Sequence, residues 1–215
     1  MYVIKNNFYS YQNVKMIPMI RIISFEGSVG AGKTSLTNYF SHELKIGKIL
    51  EEYERNPFLH DFYKGSKVNL ETEITFLLIH YSQLKKVLED SEESFILADF
   101  SIEKDLVYAV LNLNDTEFRI FKNIYDYVIQ QVGVPTLVIY IDLSLKILKR
   151  RIFQRGRPYE MAADPDYFKE YNDKVKEHFR DRTQSEVHFF NVDDLDLDPD
   201  NRKLSQIRKV IVKNI

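Results

Sequence analysis

The sequence contains no cysteine, and this absence excludes both disulfide bonds and catalysis by a thiolate. It also has no apolar stretch close to the roughly 20 residues that a membrane-spanning helix needs. An excess of charge is missing as well, since the formal net charge is −2. Nothing in the composition therefore favours binding to nucleic acid or to an anionic membrane, and we expect a cytoplasmic protein.

Residues 1–18 lack the apolar segment of a secretory signal, and they contain no arginine of the kind that transit peptides use. Because methionines stand just before the first predicted strand, we expect these residues to be a poorly ordered N-terminal extension. The rest of the chain has an ordinary globular balance, with 44% hydrophobic and 29% charged residues overall. We expect residues 19–215 to form a single domain.

What the sequence does contain is a phosphate-binding loop. Residues 27–34 match the pattern G-x-x-x-x-G-K-[ST], an apolar run over 20–25 predicts a buried strand before it, and 34–44 predict a helix after it. The helix N-terminus favours an anion, Lys33 is expected to reach the β- and γ-phosphates, and the Thr34 hydroxyl to hold Mg²⁺. A glycine-rich turn that binds nothing has little weight, because motif, strand and helix agree. The predicted nucleotide-binding residues are Gly27, Ser28, Val29, Gly30, Ala31, Gly32, Lys33, Thr34 and Ser35.

Two further predicted strands end in acidic residues. The run 48–52 ends in Glu51 and Glu52, and the strand predicted from residue 95 onward ends at Asp99. Ligands of open α/β sheets lie beyond the carboxyl ends of the strands, so a carboxylate there can take a proton from a substrate hydroxyl or serve Mg²⁺. Without the phosphate loop, a solvated acidic pair would be the better interpretation of Glu51 and Glu52.

Apolar residues at helical spacing predict an amphipathic helix over 68–90. Glu73 and His80 are seven positions apart and therefore share a face two turns apart, with Phe76 between them. An acid, an aromatic ring and a histidine on one face can line a pocket for a flat base. Spacing alone favours the simpler alternative, a solvated helix edge with one core phenylalanine.

A basic cluster surrounds the end of a helix predicted over 144–154. Arg151, Arg155 and Arg157 can converge on one anion, because planar guanidinium groups match phosphate oxygens. A solvated helix end is the alternative, but the cluster lies in a slightly acidic chain, which favours a function. The other predicted elements are strands over 136–141 and 187–192 and helices over 115–131, 164–182 and 201–213.

Five strands that alternate with helices predict an α/β fold, a five-stranded parallel sheet flanked by helices on both faces. Together with the phosphate loop and the late arginine-rich segment, which forms a short lid, this pattern resembles a P-loop NTPase of the nucleoside and nucleotide kinase type.

From residue 20 to residue 213 the sequence is similar to the deoxynucleoside kinase family. The motifs that carry the resemblance are Glu51-Glu52, Asn56-Pro57-Phe58-Leu59 with Phe62-Tyr63, Glu73-Ile74-Thr75-Phe76-Leu77-Leu78-Ile79-His80, Arg151-x-x-x-Arg155-Gly156-Arg157-x-x-Glu160, and Asp164-Pro165-Asp166-Tyr167. The resemblance implies that Glu52 is the general base and that Tyr63 and Glu160 contact the sugar 3′-hydroxyl. It also implies that the helix containing Glu73 recognises the base and that the arginines bind the transferring phosphoryl group.

The sequence departs from the family pattern at several positions. Tyr53 follows Glu52 where the family has proline, and Phe100 replaces the arginine of [DE]-Arg-Ser, so that one charge near the 5′-oxygen is lost. Glu73 occupies the position of a glutamine in the family. His80 occupies the position of an arginine that in the family pairs with an acid at the place of Asp105, so we predict a His80–Asp105 pair.

The predicted reaction is transfer of the γ-phosphoryl group of ATP to a deoxynucleoside 5′-hydroxyl, a step of nucleotide salvage that rests on positioning and charge stabilisation. Thr34 and Asp99 are the predicted Mg²⁺ residues, and the resemblance implies a homodimer. Two alternatives stay open. A thymidylate-kinase-like nucleoside monophosphate kinase would need a basic group for the acceptor's phosphate, and a non-catalytic nucleotide-binding protein would need no acceptor pocket.

Base choice depends on the protonation of Glu73. An ionised carboxylate only accepts hydrogen bonds and suits guanine, which presents N1–H and a 2-amino group, whereas a protonated acid suits adenine or cytosine. Burial beside Phe76 favours the protonated form, and a cationic His80 opposes it. Because a histidine paired with Asp105 stays charged, we expect ionised Glu73 and deoxyguanosine as a substrate.

Overall fold

The computed structural model describes residues 21–157, 165–181, 183–193 and 197–215. The described residues form five strands, β1 (Arg21–Gly27), β2 (Gly47–Ile49), β3 (Phe95–Ala98), β4 (Leu137–Asp142) and β5 (Glu186–Asn191). The helices are α1 (Lys33–Leu44), α2 (Leu59–Tyr63), α3 (Asn69–Asp90), α4 (Glu103–Asn112), α5 (Asp115–Val132), α6 (Leu145–Arg155), α7 (Pro165–Asp181) and α8 (Arg202–Asn214). The predicted extension 1–18 lies outside the described residues.

The sheet has the strand order β2-β3-β1-β4-β5, and all neighbouring strands are parallel. The predicted five-stranded parallel sheet is therefore confirmed. β1 lies at the centre, and the chain leaves it first toward β2 and β3 and later toward β4 and β5. Connections that depart in opposite directions open a crevice at the carboxyl end of the central strand, and the phosphate loop lies there.

Both faces of the sheet are covered, which explains why consecutive residues of β1 and β4 are buried instead of every second one. Successive side chains of β1 point to opposite faces. Ile22 packs with the residues of α3 and α5, and Ile23 packs with those of α1 and α8. A third cluster joins α4 and α7 over β4. None of the described helices combines the length and the apolarity that crossing a membrane requires.

The segments that follow β2 and β3 differ from the predicted strand ends. β2 ends at Ile49 instead of continuing to residue 52, because beyond this point the backbone N–H of Glu51 donates to the Asp99 carboxylate at 2.7 Å instead of continuing the ladder. A short 3₁₀ turn over Tyr53–Arg55 follows. After β3, the Ser101 hydroxyl accepts a hydrogen bond from the Glu103 amide at 3.2 Å, while Ile102 occupies the N-cap position of α4.

Candidate active site

The carboxyl ends of the strands open into a cleft of about 750 Å³. Its walls come from the phosphate loop, the segment after β2, and helices α2, α3, α4, α6 and α7. The structure brings together most of the predicted site residues here, namely Val29, Gly30, Ala31, Gly32, Lys33, Thr34, Ser35, Tyr63, Glu73, Phe76, His80, Asp99, Asp105, Arg151, Arg155 and Arg157. Gly27 and Ser28 form the buried base of the loop, and Glu160 lies outside the described residues.

The phosphate loop turns tightly between β1 and α1. Gly27 has a φ of 140°, and a Cβ at this position would come within 2.2 Å of the Ile141 carbonyl oxygen, so only glycine fits. Lys33 lies across the loop, and its ammonium donates to the carbonyls of Gly27 at 2.8 Å and Ser28 at 3.0 Å. Burial lowers the pKa of Lys33 and outweighs the nearby acids that raise it. A phosphate anion would relieve this unfavourable burial of charge.

Thr34 and Asp99 meet at the mouth of the loop. The Thr34 hydroxyl donates to Asp99 Oδ2 at 2.5 Å, so a hydroxyl and a carboxylate of the kind that Mg²⁺ binds lie side by side. The described part of the chain has no cluster of three or more acidic, histidine or cysteine side chains that could hold a metal by itself. This arrangement fits Mg²⁺, which keeps water and substrate phosphates as ligands and needs few protein groups.

The acid that lines the cleft is Glu51 and not Glu52. The Glu52 side chain is 47% exposed and pairs with Arg55, whereas the Glu51 side chain is 21% exposed and belongs to the cleft wall. The prediction that placed Glu52 in the site is wrong by one residue. The reason lies in the backbone, because the hydrogen bond from the Glu51 amide to Asp99 fixes the chain direction after β2.

Glu51 belongs to a buried chain of charges. Its Oε1 accepts a hydrogen bond from the Lys104 ammonium at 2.6 Å and lies 3.1 Å from His80 Nε2. On its other side, His80 Nδ1 lies 2.7 Å from Asp105 Oδ2, so the predicted His80–Asp105 pair is confirmed. The His80 ring also stacks on Phe100, with ring centroids 4.4 Å apart. The chain therefore runs through two acids and two bases in alternation.

The alternation sets the charges of Glu51, His80 and Lys104. Burial by itself would lower the pKa of His80, but the Asp105 carboxylate outweighs it and raises the pKa to about 9. Burial would likewise raise the pKa of Glu51, yet Lys104 and His80 hold it well below its usual range. The pKa of Lys104 lies above its ordinary value despite burial, because Glu51 and other acids surround it. Glu51, His80 and Lys104 are therefore ionised at neutral pH.

Glu73 is in a different state. Only 3% of the residue is exposed, and its Oε1 accepts one hydrogen bond from the Asn112 amide at 2.8 Å. Burial raises the pKa of Glu73 to about 8, and the nearby Asp105 carboxylate pushes in the same direction. The expectation of an ionised Glu73 at neutral pH is therefore wrong in this structure. The positive charge of His80 is already compensated by Asp105 and Glu51 and does not offset the burial.

The arginine-rich end of α6 borders the same cleft, as predicted. Arg151 donates from Nη1 to the Ala31 carbonyl at 2.9 Å and from Nη2 to the Val192 carbonyl at 3.4 Å, so it fastens α6 to the phosphate loop. The Arg157 guanidinium lies 3.9 Å from the centroid of the Tyr53 ring. Contact with an aromatic ring fixes the plane of a guanidinium group.

Sequence reasoning missed several cleft residues. Lys104 and Tyr108 are four positions apart on α4 and line the wall together, and Tyr171 of α7 stacks on Tyr108 with ring centroids 3.9 Å apart. The spacing of Lys104 and Tyr108 is the signal that could have found them, since residues at i and i+4 share a helix face. Asn112, one further turn along, holds Glu73.

Comparison with known proteins agrees with this geometry. The family described as Deoxynucleoside kinase matches residues 23–215. A deoxyguanosine kinase of Bacillus subtilis (strain 168) is 34% identical over 155 residues, which cover 69% of this chain and 73% of that protein. A deoxyadenosine kinase of Lactobacillus acidophilus is 29% identical over 171 residues, 75% of this chain and 79% of that protein. The structure of a deoxyadenosine kinase from M. mycoides, with the products dCMP and a flexible dCDP bound, is similar in fold with a TM-score of 0.72 at 23% identity, and covers 90% of this chain and 100% of that one.

Proposed function

The chain belongs to the deoxynucleoside kinase family, and we propose from the geometry of its cleft how it performs the family's reaction. It transfers the γ-phosphoryl group of ATP to the 5′-hydroxyl of a deoxynucleoside and so forms the monophosphate. One observation carries the assignment of roles. Asp99 accepts hydrogen bonds from both Thr34 and Glu51, so a single carboxylate joins the phosphate loop to the acid at the acceptor side.

At the donor side, the loop amides and Lys33 hold the β- and γ-phosphates of ATP. Lys33 exchanges its present carbonyl partners for phosphate oxygens, which restores the charge pairing that burial denies it. Thr34 and Asp99 are the residues that would hold Mg²⁺. When bound there, the ion supplies positive charge next to the transferring group.

At the acceptor side, Glu51 orients the 5′-hydroxyl and accepts its proton. Its low pKa makes it a weak base, but phosphoryl transfer passes through a loose transition state in which orienting the nucleophile matters more than early deprotonation. Arg151, Arg155 and Arg157 border the same cleft and stabilise the charge on the transferring group. That one cleft is lined by an acid and by several arginines supports this division of roles.

The base of the nucleoside lies against α3 and α4, where Glu73, Phe76 and Tyr108 line the cleft. We assign deoxyguanosine as the preferred substrate, with guanine N1–H and the 2-amino group donating to Glu73. Because burial raises the pKa of Glu73 to about 8, binding guanine at neutral pH ionises this acid and releases a proton. Asn112 already donates to Glu73 and supports the ionised form. Neutral Glu73 accounts for a weaker use of deoxyadenosine or deoxycytidine, with Tyr63 and Glu160 assigned to the sugar.

The same proposal includes the domain organisation, the oligomeric state and the location of the protein. Residues 19–215 form one kinase domain with 1–18 as an extension, and the protein acts in the cytoplasm as a homodimer without nucleic acid or membrane partners. Exposed apolar side chains on the packed pair α3 and α5, Leu78, Ile120 and Tyr127, support a dimer surface there. The molar mass of the protein in solution, measured by light scattering, tests whether it is a dimer.

Release of ADP from ATP and Mg²⁺, measured with each of the four deoxynucleosides and each monophosphate, tests the function. We expect turnover with deoxynucleosides, with the highest kcat/KM for deoxyguanosine, and none with monophosphates. Turnover only with monophosphates would establish a nucleoside monophosphate kinase instead. ATP binding without turnover on any acceptor would indicate a non-catalytic nucleotide-binding protein.

A further inference from the structure

Lys104 is a buried lysine whose position nothing in the phosphate loop or the lid explains. Its side chain is 8% exposed, it lies in the first turn of α4, and it lines the cleft. A buried ammonium is unfavourable unless acids compensate it. Glu51, Glu26 and Asp105 provide that compensation, and they hold the pKa of Lys104 above its ordinary value against the effect of burial. The charge is therefore maintained inside the site.

The contacts of Glu51 show what this charge does. Lys104 Nζ and His80 Nε2 both contact the same carboxylate oxygen, Oε1. The Glu51 amide is held as well, through its hydrogen bond to Asp99. The structure gives the second oxygen, Oε2, no hydrogen-bond partner among the described residues. The carboxylate is thus fixed by one oxygen, and the other is left for a ligand in the cleft.

The position of Lys104 also matches a missing charge. Phe100 occupies the place at which the [DE]-Arg-Ser pattern has arginine, and its ring is fully packed beneath His80. Lys104 follows Phe100 by four residues, and its ammonium lies 5.8 Å from the centroid of the Phe100 ring. Lys104, four residues after Phe100, therefore supplies a cation close to the position at which the Phe100 side chain supplies none.

We propose that Lys104 takes over the role of the absent arginine as a positioning residue, holding Oε1 of Glu51 together with His80 so that Oε2 accepts the hydrogen bond of the acceptor 5′-hydroxyl. The inference rests on the proposed function of Glu51. Lys104 acts through Glu51 on a neutral acceptor, so its loss slows transfer without weakening ATP binding.

The test compares Lys104→Met, which keeps the length of the side chain and removes its charge, with Lys104→Arg, which keeps the charge. We expect kcat of Lys104→Met to fall about 10- to 100-fold, as is typical when a group that orients another is lost. The KM for ATP should change less than about twofold, and Lys104→Arg should recover most of kcat. Lys85→Met, at an exposed lysine of α3, is the matched control.

Two further variants guard against a purely structural effect. Phe100→Arg combined with Lys104→Met moves the cation to the other position, and Lys104→Ala leaves room for an added small alkylamine. We expect either route to raise turnover at least about tenfold over Lys104→Met, the lower end of the loss that orientation explains. Recovery by either supports the positioning role, and the double variant does so most directly, since it restores a cation without restoring the packing of the lysine.

Turnover of Lys104→Met within about threefold of the unchanged protein, well short of the loss that orientation explains, overturns the inference. A loss that Lys104→Arg, the double variant and the alkylamine all fail to restore overturns it as well, because the lysine then only compensates buried acids. The unchanged protein is assayed in parallel with the deoxynucleosides. Absence of ADP release there would refute the proposed function, and not specifically the role of Lys104.

Discussion

At the phosphate end of the cleft, the loop amides and Lys33 come from one consecutive stretch, residues 27–34, whereas at the acceptor end the lining residues come from several separate segments. The two ends also differ in charge. Among the described residues, the Lys33 ammonium donates hydrogen bonds to backbone carbonyls, and burial lowers its pKa. Lys104 and His80, in contrast, are already paired with carboxylates.

This difference matches the charges of the two substrates. The phosphate end holds the buried Lys33 ammonium, which forms no direct ion pair within the described part of the chain, and a polyanion such as ATP would supply the opposite charge. The acceptor end is compensated internally and gains nothing from a charged ligand, which suits a neutral nucleoside. The contrast yields three predictions, which follow from the largest expected effect to the smallest.

Removal of the cation at the phosphate end should have the largest effect. Lys33→Ala is expected to reduce kcat by about 10³- to 10⁵-fold, the range for loss of a charge that stabilises the transferring phosphoryl group. The fold should survive, because the Lys33 side chain serves the loop and not the core. Steady-state ADP release and circular dichroism measure both. Lys48→Ala, at an exposed lysine on β2, should be unaffected, and normal turnover of Lys33→Ala would contradict the role of the loop.

The acid at the acceptor end gives the second prediction. Glu51→Gln keeps the shape and removes the charge, so turnover should fall by about 10²- to 10⁴-fold while ATP still binds. Glu52→Gln is the matched control, since the Glu52 side chain is exposed and pairs with Arg55 alone among the described residues. We expect a change in turnover within about twofold, as for an exposed ion pair. Single-turnover rates and ATP titration separate the two effects. If Glu52→Gln lost turnover and Glu51→Gln kept it, Glu52 and not Glu51 would be the acid that orients the 5′-hydroxyl.

The contrast between the two ends also explains what the sequence could predict. Local patterns predict the five strands, their alternation with helices, and the phosphate loop. A family motif predicts the His80–Asp105 pair. The choice between Glu51 and Glu52 does not, because it depends on a hydrogen bond from Glu51 to Asp99, which lies 48 positions away. No periodicity over residues 48–52 contains that contact.

The protonation state of Glu73 cannot be derived from sequence patterns either. The sequence places Glu73 and His80 on one helix face, and this predicts that the charge of His80 acts on Glu73. In the structure, His80 is saturated by Asp105 and Glu51, while Glu73 is buried beside the Asn112 amide. A pKa depends on burial and on partners from other elements, and these exist only once α3 and α4 have packed.

Glu73 supplies the third prediction, which has the smallest effect in free energy. Since its pKa is about 8, the acid is mostly neutral at pH 6 and ionises as pH rises. If guanine requires the ionised form, kcat/KM for deoxyguanosine should rise about tenfold per pH unit below 8 and level off above it. Glu73→Gln should abolish this rise and shift preference toward deoxyadenosine or deoxycytidine by about 1–3 kcal/mol.

Unfolding gives an independent control on the protonation state. The folded protein keeps the Glu73 proton up to about pH 8, whereas the unfolded chain releases it near pH 4.5. The stability that the neutral acid contributes is therefore complete below pH 4.5 and is lost as pH rises toward 8. Glu73→Gln should flatten this decline in the free energy of unfolding, and Glu71→Gln, at an exposed acid on the same helix, should leave it unchanged.

The two measurements together decide where Glu73 acts. A flattened stability profile with an altered ranking of the four deoxynucleosides means that the buried acid faces the base and that its proton is part of recognition. A flattened profile with an unchanged ranking means that Glu73 is a buried acid held by Asn112 and that guanine is recognised elsewhere in the cleft. An unaltered profile would contradict the raised pKa itself. In that case the acceptor end would resemble the phosphate end more closely, with an ionised group that waits for its partner in the substrate.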